Sequence, residues 1–401
     1  MRKFPMQIIQ LIFLSVFFIM SCSGGGDSPN NPPKSKPTVS IKNAQVSRKN
    51  SSTTIRFYVD LSSAANQQVS VQYTTQSGSA KAGSDFEAKS GTVAINSGSK
   101  EASIDIPVKV DSLRQPDQKF YVQLSDPTNA TLGTAKATGT IMDNGTYLPT
   151  DSSGYTSPKS YSGYTMVWDD EFNHKHLNTN IWNRETGGNG WGNNELEYYT
   201  SSTNNSFLSS GNLIISARKE QHGGNDYTSA RLTTQGNKSF TYGRIDIRAK
   251  LPVAQGMWPA LWMLGSNISS NPWPASGEID IMELIGKNPN EVHGSLHWKK
   301  TDGSEGNFTK THTLSSGDYS QKFHVYSLVW SQDSLKVLVD NNVYAAASRQ
   351  DIVQPNPYPF DNPFFLIFNV AVGGNWPGPP TASTDFPQRM YVDYVRVFQK
   401  N

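Results

Sequence analysis

The sequence predicts an all-β protein built as successive sandwich domains. Three observations lead there. Gly, Ser, Thr and Asn are abundant, and no long stretch carries helical periodicity. Short apolar runs separated by turn residues recur throughout, many alternating apolar and polar at period two. All nine Trp and all seven His lie after residue 167, which marks a boundary between two units. A chain of 401 residues has room for two or three domains. Charged residues are few and nearly balanced, with a net charge of +2, so nothing suggests nucleic acid or an acidic partner.

Taken in order, the N-terminus reads as a targeting segment. Arg2 and Lys3 give a charged start, and Ile8 to Met20 is an apolar run too short to span a membrane. Ile19-Met20-Ser21-Cys22 follows, and Cys22 is the only cysteine. The segment resembles a bacterial lipoprotein signal: residues 1–21 removed, lipid on Cys22, and a flexible tether over 22–36. The expected location is the cell envelope, at the outer membrane, on either its periplasmic face or the cell surface. Ordinary secretory cleavage is the alternative. With Cys22 lipidated no thiol remains, which excludes disulfides and thiol catalysis.

Residues 37–144 alternate clearly. Ile55, Phe57, Val59 and Leu61 share one face. Val69, Val71 and Tyr73, then Val93 and Ile95, then Ile104, Ile106 and Val108, then Phe120, Val122 and Leu124 repeat the pattern. With Val39-Ile41 and Ile141 at the ends, about seven strands result, the number of an immunoglobulin-like sandwich. Gly83-Ser84-Asp85-Phe86 and the stretches from Leu124 to Gly139 and Ile141 to Asn144 resemble a Calx-beta domain. That resemblance implies calcium held by acidic loops. Asp85, Asp111, Asp117 and Asp143 fit it, but Arg48, Lys49 and Pro116 stand where acids belong, so a tight calcium site is not expected. A spacer or a weak carbohydrate or protein contact is the expected role. Residues 145–162 are rich in Ser, Thr, Gly, Tyr and Pro and read as a linker.

Residues 163–401 carry strand signals throughout, enough for two stacked sheets. There is no G-x-S-x-G elbow, no Cys/His pair, no His-rich metal motif and no P-loop. The informative stretch is Glu278-Ile279-Asp280-Ile281-Met282-Glu283, three carboxylates in an otherwise buried-looking strand. Positions 278 and 280 share a face and 283 falls on the other. One bulged residue between 280 and 283 restores the parity, leaving Ile279, Ile281 and Leu284 for the layer behind. Clustered acids repel and raise at least one pKa. Retaining glycoside hydrolysis uses such a pair, one ionised and one protonated, about 5–5.5 Å apart. At roughly 3.3 Å per residue the two Glu backbones lie about 13 Å apart, so long side chains leaning together must close the gap. The other reading is a calcium site or a solvated edge strand.

The flanks Trp273-Pro274-Ala275-Ser276-Gly277 and Leu284-Ile285-Gly286 make the segment resemble the active-site strand of glycoside hydrolase family 16. The extra Met282 is similar to its laminarinases, the endo-β-1,3-glucanases. Further matching stretches run in order to the C-terminus. They include Trp168-Asp169-Asp170-Glu171-Phe172, Gly190-Trp191-Gly192-Asn193-Asn194-Glu195-Leu196, Ser229-Ala230-Arg231-Leu232 and Gly256-Met257-Trp258-Pro259-Ala260-Leu261-Trp262. Tyr242-Gly243-Arg244, Gly294-Ser295-Leu296-His297-Trp298, Asn369-Val370-Ala371-Val372-Gly373-Gly374-Asn375-Trp376-Pro377 and Val392-Asp393-Tyr394-Val395-Arg396-Val397 complete the set.

The resemblance implies a concanavalin-like jelly roll with a concave cleft, acting on β-glucan. In it Glu278 is the nucleophile, Glu283 the acid/base and Asp280 the support of Glu278. His297 would bias the acid/base proton. Asn193, Arg231, Trp258, Trp262, Trp273, Asn375 and Trp376 are the candidate sugar-binding residues. Catalysis needs no cofactor, and Glu171, Asp393 and the carbonyl of Gly211 would hold a structural calcium away from the cleft. A monomer is expected. The rival readings are a relative acting on mixed-linkage glucan, agar or carrageenan, a non-catalytic glucan-binding protein, and a surface adhesin.

Overall fold

The computed structural model describes residues 35–48, 51–109, 114–143, 147–174, 176–353 and 357–401. The leader, Cys22, most of the tether, Lys49 and Asp111 lie outside these. Among the described residues no helix is long and apolar enough to cross a membrane.

The N-terminal unit is a sandwich of a four-stranded and a five-stranded sheet. The alternation places Ile55, Phe57, Val59 and Leu61 inside, against Val122, Phe120 and Phe86. Phe86 and Phe120 stack at 4.2 Å. Gly139 lies beneath these rings, and a Cβ there would meet Phe120 and Phe57 at 2.7 Å. Among the described residues nine strands form rather than about seven. The additional ones, Ala44–Ser47 and Thr131–Leu132, are short edge strands too exposed to carry an apolar pattern. Asp85 accepts from the Lys81 amide and Asp117 from the Asp143 amide.

The second unit stacks two larger sheets. The back sheet is ten-stranded and includes Gly243–Lys250 and Gln388–Lys400. The cleft sheet is seven-stranded, in the order Asn183–Glu185, Arg231–Thr233, Phe364–Val372, Met257–Gly265, Glu278–Glu283, Glu291–Lys299 and Glu305–Thr313. Between them lies one apolar core. Period two sorts each strand of the cleft sheet. On Met257–Gly265, Met257, Leu261 and Met263 are in the core while Trp258, Ala260, Trp262 and Leu264 line the opposite side. On Phe364–Val372, Leu366, Phe368 and Val370 face the core, whereas Asn369 and Ala371 face outward.

The segment 147–162 is not a free linker. Ser157 donates to the Tyr394 hydroxyl through its backbone amide (2.8 Å), and Tyr161 donates to Asp246 (2.7 Å). Arg248 donates to the carbonyls of Tyr155 and Ser152, both at 2.6 Å. Its Ser/Gly/Tyr composition reads as a linker, but its backbone carbonyls take up N–H groups of Arg248 and Arg396 that their carboxylate partners leave free.

Candidate active site

The acid strand is preceded by Gly277, whose φ of +80° and close neighbour Pro359 (2.8 Å from any Cβ) exclude a side chain. Along the strand the register slips where the parity argument requires it. Against Met257–Gly265, Trp262 pairs with Asp280 but Leu261 pairs with Met282, so Ile281 is the extra residue. Against the other neighbour the shift also falls between Asp280 and Glu283. Ile279, Ile281, Met282 and Leu284 are fully buried in the core. Glu278, Asp280 and Glu283 consequently line one cavity of about 550 Å³.

Burial and the Asp280 charge push the Glu283 carboxyl up to about 8, opposed by a hydrogen bond from Trp258 and by His297. Trp258 Nε1 donates to Glu283 Oε1 at 2.9 Å. An indole nitrogen only donates, so that oxygen is the acceptor and the acidic proton belongs on Glu283 Oε2. Burial raises Glu278 as well, followed by the charge of Asp280, while His297 and Arg231 pull it down. Asp280 is raised by burial.

His297 pairs directly across from Glu278. Its Nε2 lies 3.2 Å from Asp280 Oδ2 and 3.8 Å from Glu278 Oε1, and its Nδ1 is 2.6 Å from Glu305 Oε1. Strand register sets His297 beside Glu278 and Asp280, and from there its charge still acts on Glu283.

The expected sugar-binding residues divide. Trp258, Trp262, Trp273, Trp376, Arg231 and Asn193 line the cavity. Trp273 is 46% exposed at its mouth. Trp376 meets Trp258 edge-on, with centroids 5.6 Å apart. Trp262 Nε1 donates to Asn369 Oδ1 (2.7 Å), which fixes the plane of its ring. Arg231 lies over the rings of Trp191 and Trp262 and is bound by Glu185 at 2.5 Å. Asn193 donates to Glu195 Oε1 at 3.3 Å. Asn375 is exposed and stands apart from the cavity lining. Its amide oxygen accepts from Asn194 and its backbone amide donates to the Asn193 carbonyl, which stitches two loops together.

Glu305, Glu195 and Asn369 also line the cavity, and sequence reasoning did not single them out. Asn369 and Glu195 lie within matching stretches, so their signal was present. Glu305 reaches His297 only because the hairpin pairs His297 with Asn307, a register no local pattern discloses.

For the calcium expectation the backbone and the side chains disagree. Asp170 pairs with Val395 and Asn212's neighbour Leu213 with Val392, so Glu171 and Gly211 converge on the segment around Asp393. Yet Arg396 donates to both oxygens of Glu171, at 2.5 and 3.0 Å, and Arg248 donates to Asp393 Oδ2 at 2.7 Å. Each carboxylate is neutralised by an arginine, so the donor set as it stands does not fit a cation.

The comparisons agree with this geometry. Residues 192–396 match the model of glycosyl hydrolases family 16, and residues 33–145 match that of the Calx-beta domain. The beta-glucanase of Rhodothermus marinus is 42% identical over 245 residues, covering 59% of this chain and 85% of that protein. The glucan endo-1,3-beta-glucosidase A1 of Niallia circulans is 39% identical over 274 residues, 62% of this chain and 40% of that one. Among solved structures, the laminarinase catalytic domain of Thermotoga maritima superposes with a TM-score of 0.57 at 45% identity, covering 60% of this chain and 100% of that domain. With its bulged acid strand, paired sheets and these matches, the chain belongs to glycosyl hydrolases family 16.

Proposed function

We propose that this protein is an endo-acting, retaining β-1,3-glucanase of laminarinase type, with Glu278 as nucleophile and Glu283 as acid/base. The observation that carries the reading is the slip in register at Ile281, which brings Glu278 and Glu283 of one strand into one cavity. Glu283, pushed up to about 8, keeps its proton at neutral pH. Burial raises Glu278 as well, and His297 and Arg231 oppose that rise.

Glu278 attacks the anomeric carbon while Glu283 Oε2 protonates the departing oxygen. Glu283, now ionised, then takes a proton from water, which attacks the glycosyl-enzyme and frees Glu278. Asp280 and His297 set the charge beside Glu278. The Trp262, Trp273 and Trp376 rings offer apolar faces for sugar C–H groups, with Arg231 and Asn193 toward the hydroxyls.

The cleft's charge supports a neutral substrate. Glu195, Glu278, Asp280, Glu283 and Glu305 line it against two basic residues, Arg231 and His297, and Arg231 is already bound by Glu185. A sulfated galactan would meet net repulsion. The bulge at Ile281 supports the laminarinase form over the mixed-linkage one. Reducing-sugar release from laminarin, lichenan, agarose and carrageenan tests this directly. Laminarin is expected to be the preferred substrate, giving short oligosaccharides early, and preferred cleavage of carrageenan would contradict the reading.

Two further expectations belong to this proposal. Cys22 carries lipid and tethers the protein to the envelope, so Cys22→Ser should release it from the membrane fraction. A calcium at Glu171, Gly211 and Asp393 would have to displace Arg396 and Arg248. With those arginines in place, calcium and a chelator should each leave the melting temperature unchanged.

A further inference from the structure

The nucleophile side of the cleft holds more than hydrolysis requires. One Glu278 oxygen, one Asp280 oxygen and His297 Nε2 all lie within 4.8 Å of one another. Asp280 is 2% exposed, and its Oδ2, which points into this cluster, has no hydrogen-bond partner. The nearest nitrogen, His297 Nε2, stands 3.2 Å away and makes no hydrogen bond to it. A buried carboxylate oxygen without a donor is an unsatisfied acceptor that calls for an explanation. His297 is also held from behind: its Nδ1 is 2.6 Å from Glu305 Oε1. When Glu305 is ionised Nδ1 is the donor, and the neutral ring presents the lone pair of Nε2 to the two acids.

We infer that Glu278, Asp280 and His297 form a reversible binding site for a divalent transition ion of the zinc class. Two carboxylates and one imidazole are a borderline N/O donor set, which selects zinc or copper over magnesium or calcium. A tetrahedral ion about 2.0–2.1 Å from each ligand needs ligand separations of about 3.3 Å. The Asp280–His297 distance of 3.2 Å meets this directly. Glu278, at 3.8 Å from Nε2 and 18% exposed, meets it after a small side-chain turn. The fourth position opens into the cleft. Glu305 then stands as the outer carboxylate that orients a metal-bound histidine. Glu283 lies outside the donor set. A bound ion occupies the lone pairs of Glu278, so it excludes substrate. That inhibitory consequence rests on Glu278 being the nucleophile, whereas the binding does not.

Calorimetric titration of the full chain, free of a histidine tag, with zinc chloride tests the site. One saturable site per chain is expected. Asp280→Asn and His297→Asn should each weaken it at least tenfold, and Glu305→Gln by about 10- to 100-fold. Glu283→Gln should bind zinc as wild type does while losing hydrolysis. Melting curves establish that each variant is folded. Absence of a saturable site, or wild-type affinity in both Asp280→Asn and His297→Asn, overturns the inference. Zinc should also raise the apparent KM for laminarin without lowering kcat, and EDTA should reverse the effect. A chain that binds zinc but does not cleave laminarin contradicts the proposed function and leaves the site intact. A chain that cleaves laminarin and binds no zinc does the reverse.

Discussion

The two sheets of the catalytic unit treat their acids differently. At the back sheet Asp246, Glu171 and Asp393 each have an arginine. Asp246, fully buried, accepts from Arg244 at 2.8 Å and also from Ser327 and Tyr161. Glu171 is gripped by Arg396, and Asp393 by Arg248. On the cleft sheet Glu278, Asp280 and Glu283 crowd one strand, and among the described residues none makes an ion pair with an arginine or lysine. Instead their pKa values rise. A buried acid with its own arginine stays charged and holds structure. A buried acid without one keeps or shares a proton, and that proton is available for chemistry. The same residue type is therefore structural on one face and reactive on the other, and the partner decides which.

The comparison breaks most sharply through Glu278. Glu278→Gln should lower turnover on laminarin by several orders of magnitude, with an unchanged melting temperature, since it removes a charge that the fold does not use. Asp246→Asn should do the opposite. It leaves Arg244 buried without its anion and should cost about 3–5 kcal/mol of stability, read by denaturant unfolding, with kcat little altered.

Glu283 sharpens the comparison through pH. Its folded pKa of about 8 lies above the ordinary 4.5, so the folded state holds the proton more tightly than the unfolded chain. The stabilisation is complete below pH 4.5 and is lost as pH rises through about 8. Glu283→Gln should lack this loss, so its stability should fall less than that of wild type over the same range. The alkaline limb of kcat/KM should sit near pH 8 in wild type, since only the protonated form acts as acid. The smallest effect is expected at Trp258. Trp258→Phe keeps a ring but removes the donor to Glu283 Oε1. A hydrogen bond to a charged group is worth about 1.5–3 kcal/mol, so the alkaline limb should move up by about one pH unit with a modest loss of kcat. A raised KM with an unmoved limb would make Trp258 a sugar platform only.

Much of this was legible in the residues. Period-two alternation placed Ile55 to Leu61 and the strand around Leu261, because each apolar side chain has one core to enter. The parity of 278, 280 and 283 demanded a bulge, and the register supplies it at Ile281. What stayed hidden depends on pairing between strands distant in sequence. Glu305 meets His297 across a hairpin, and Arg396 meets Glu171 225 positions away. The strap 147–162 was hidden for a related reason. Its small polar residues offer backbone carbonyls, and composition does not reveal which arginines will accept that offer.

The assignment of the two acids is tested most directly by azide rescue on an activated aryl β-laminaribioside. In Glu278→Ala, azide takes the nucleophile's place and should yield the α-glycosyl azide. In Glu283→Ala the glycosyl-enzyme still forms and azide should open it to the β-glycosyl azide. The same anomer from both variants, or the two anomers exchanged, would contradict the roles assigned to Glu278 and Glu283.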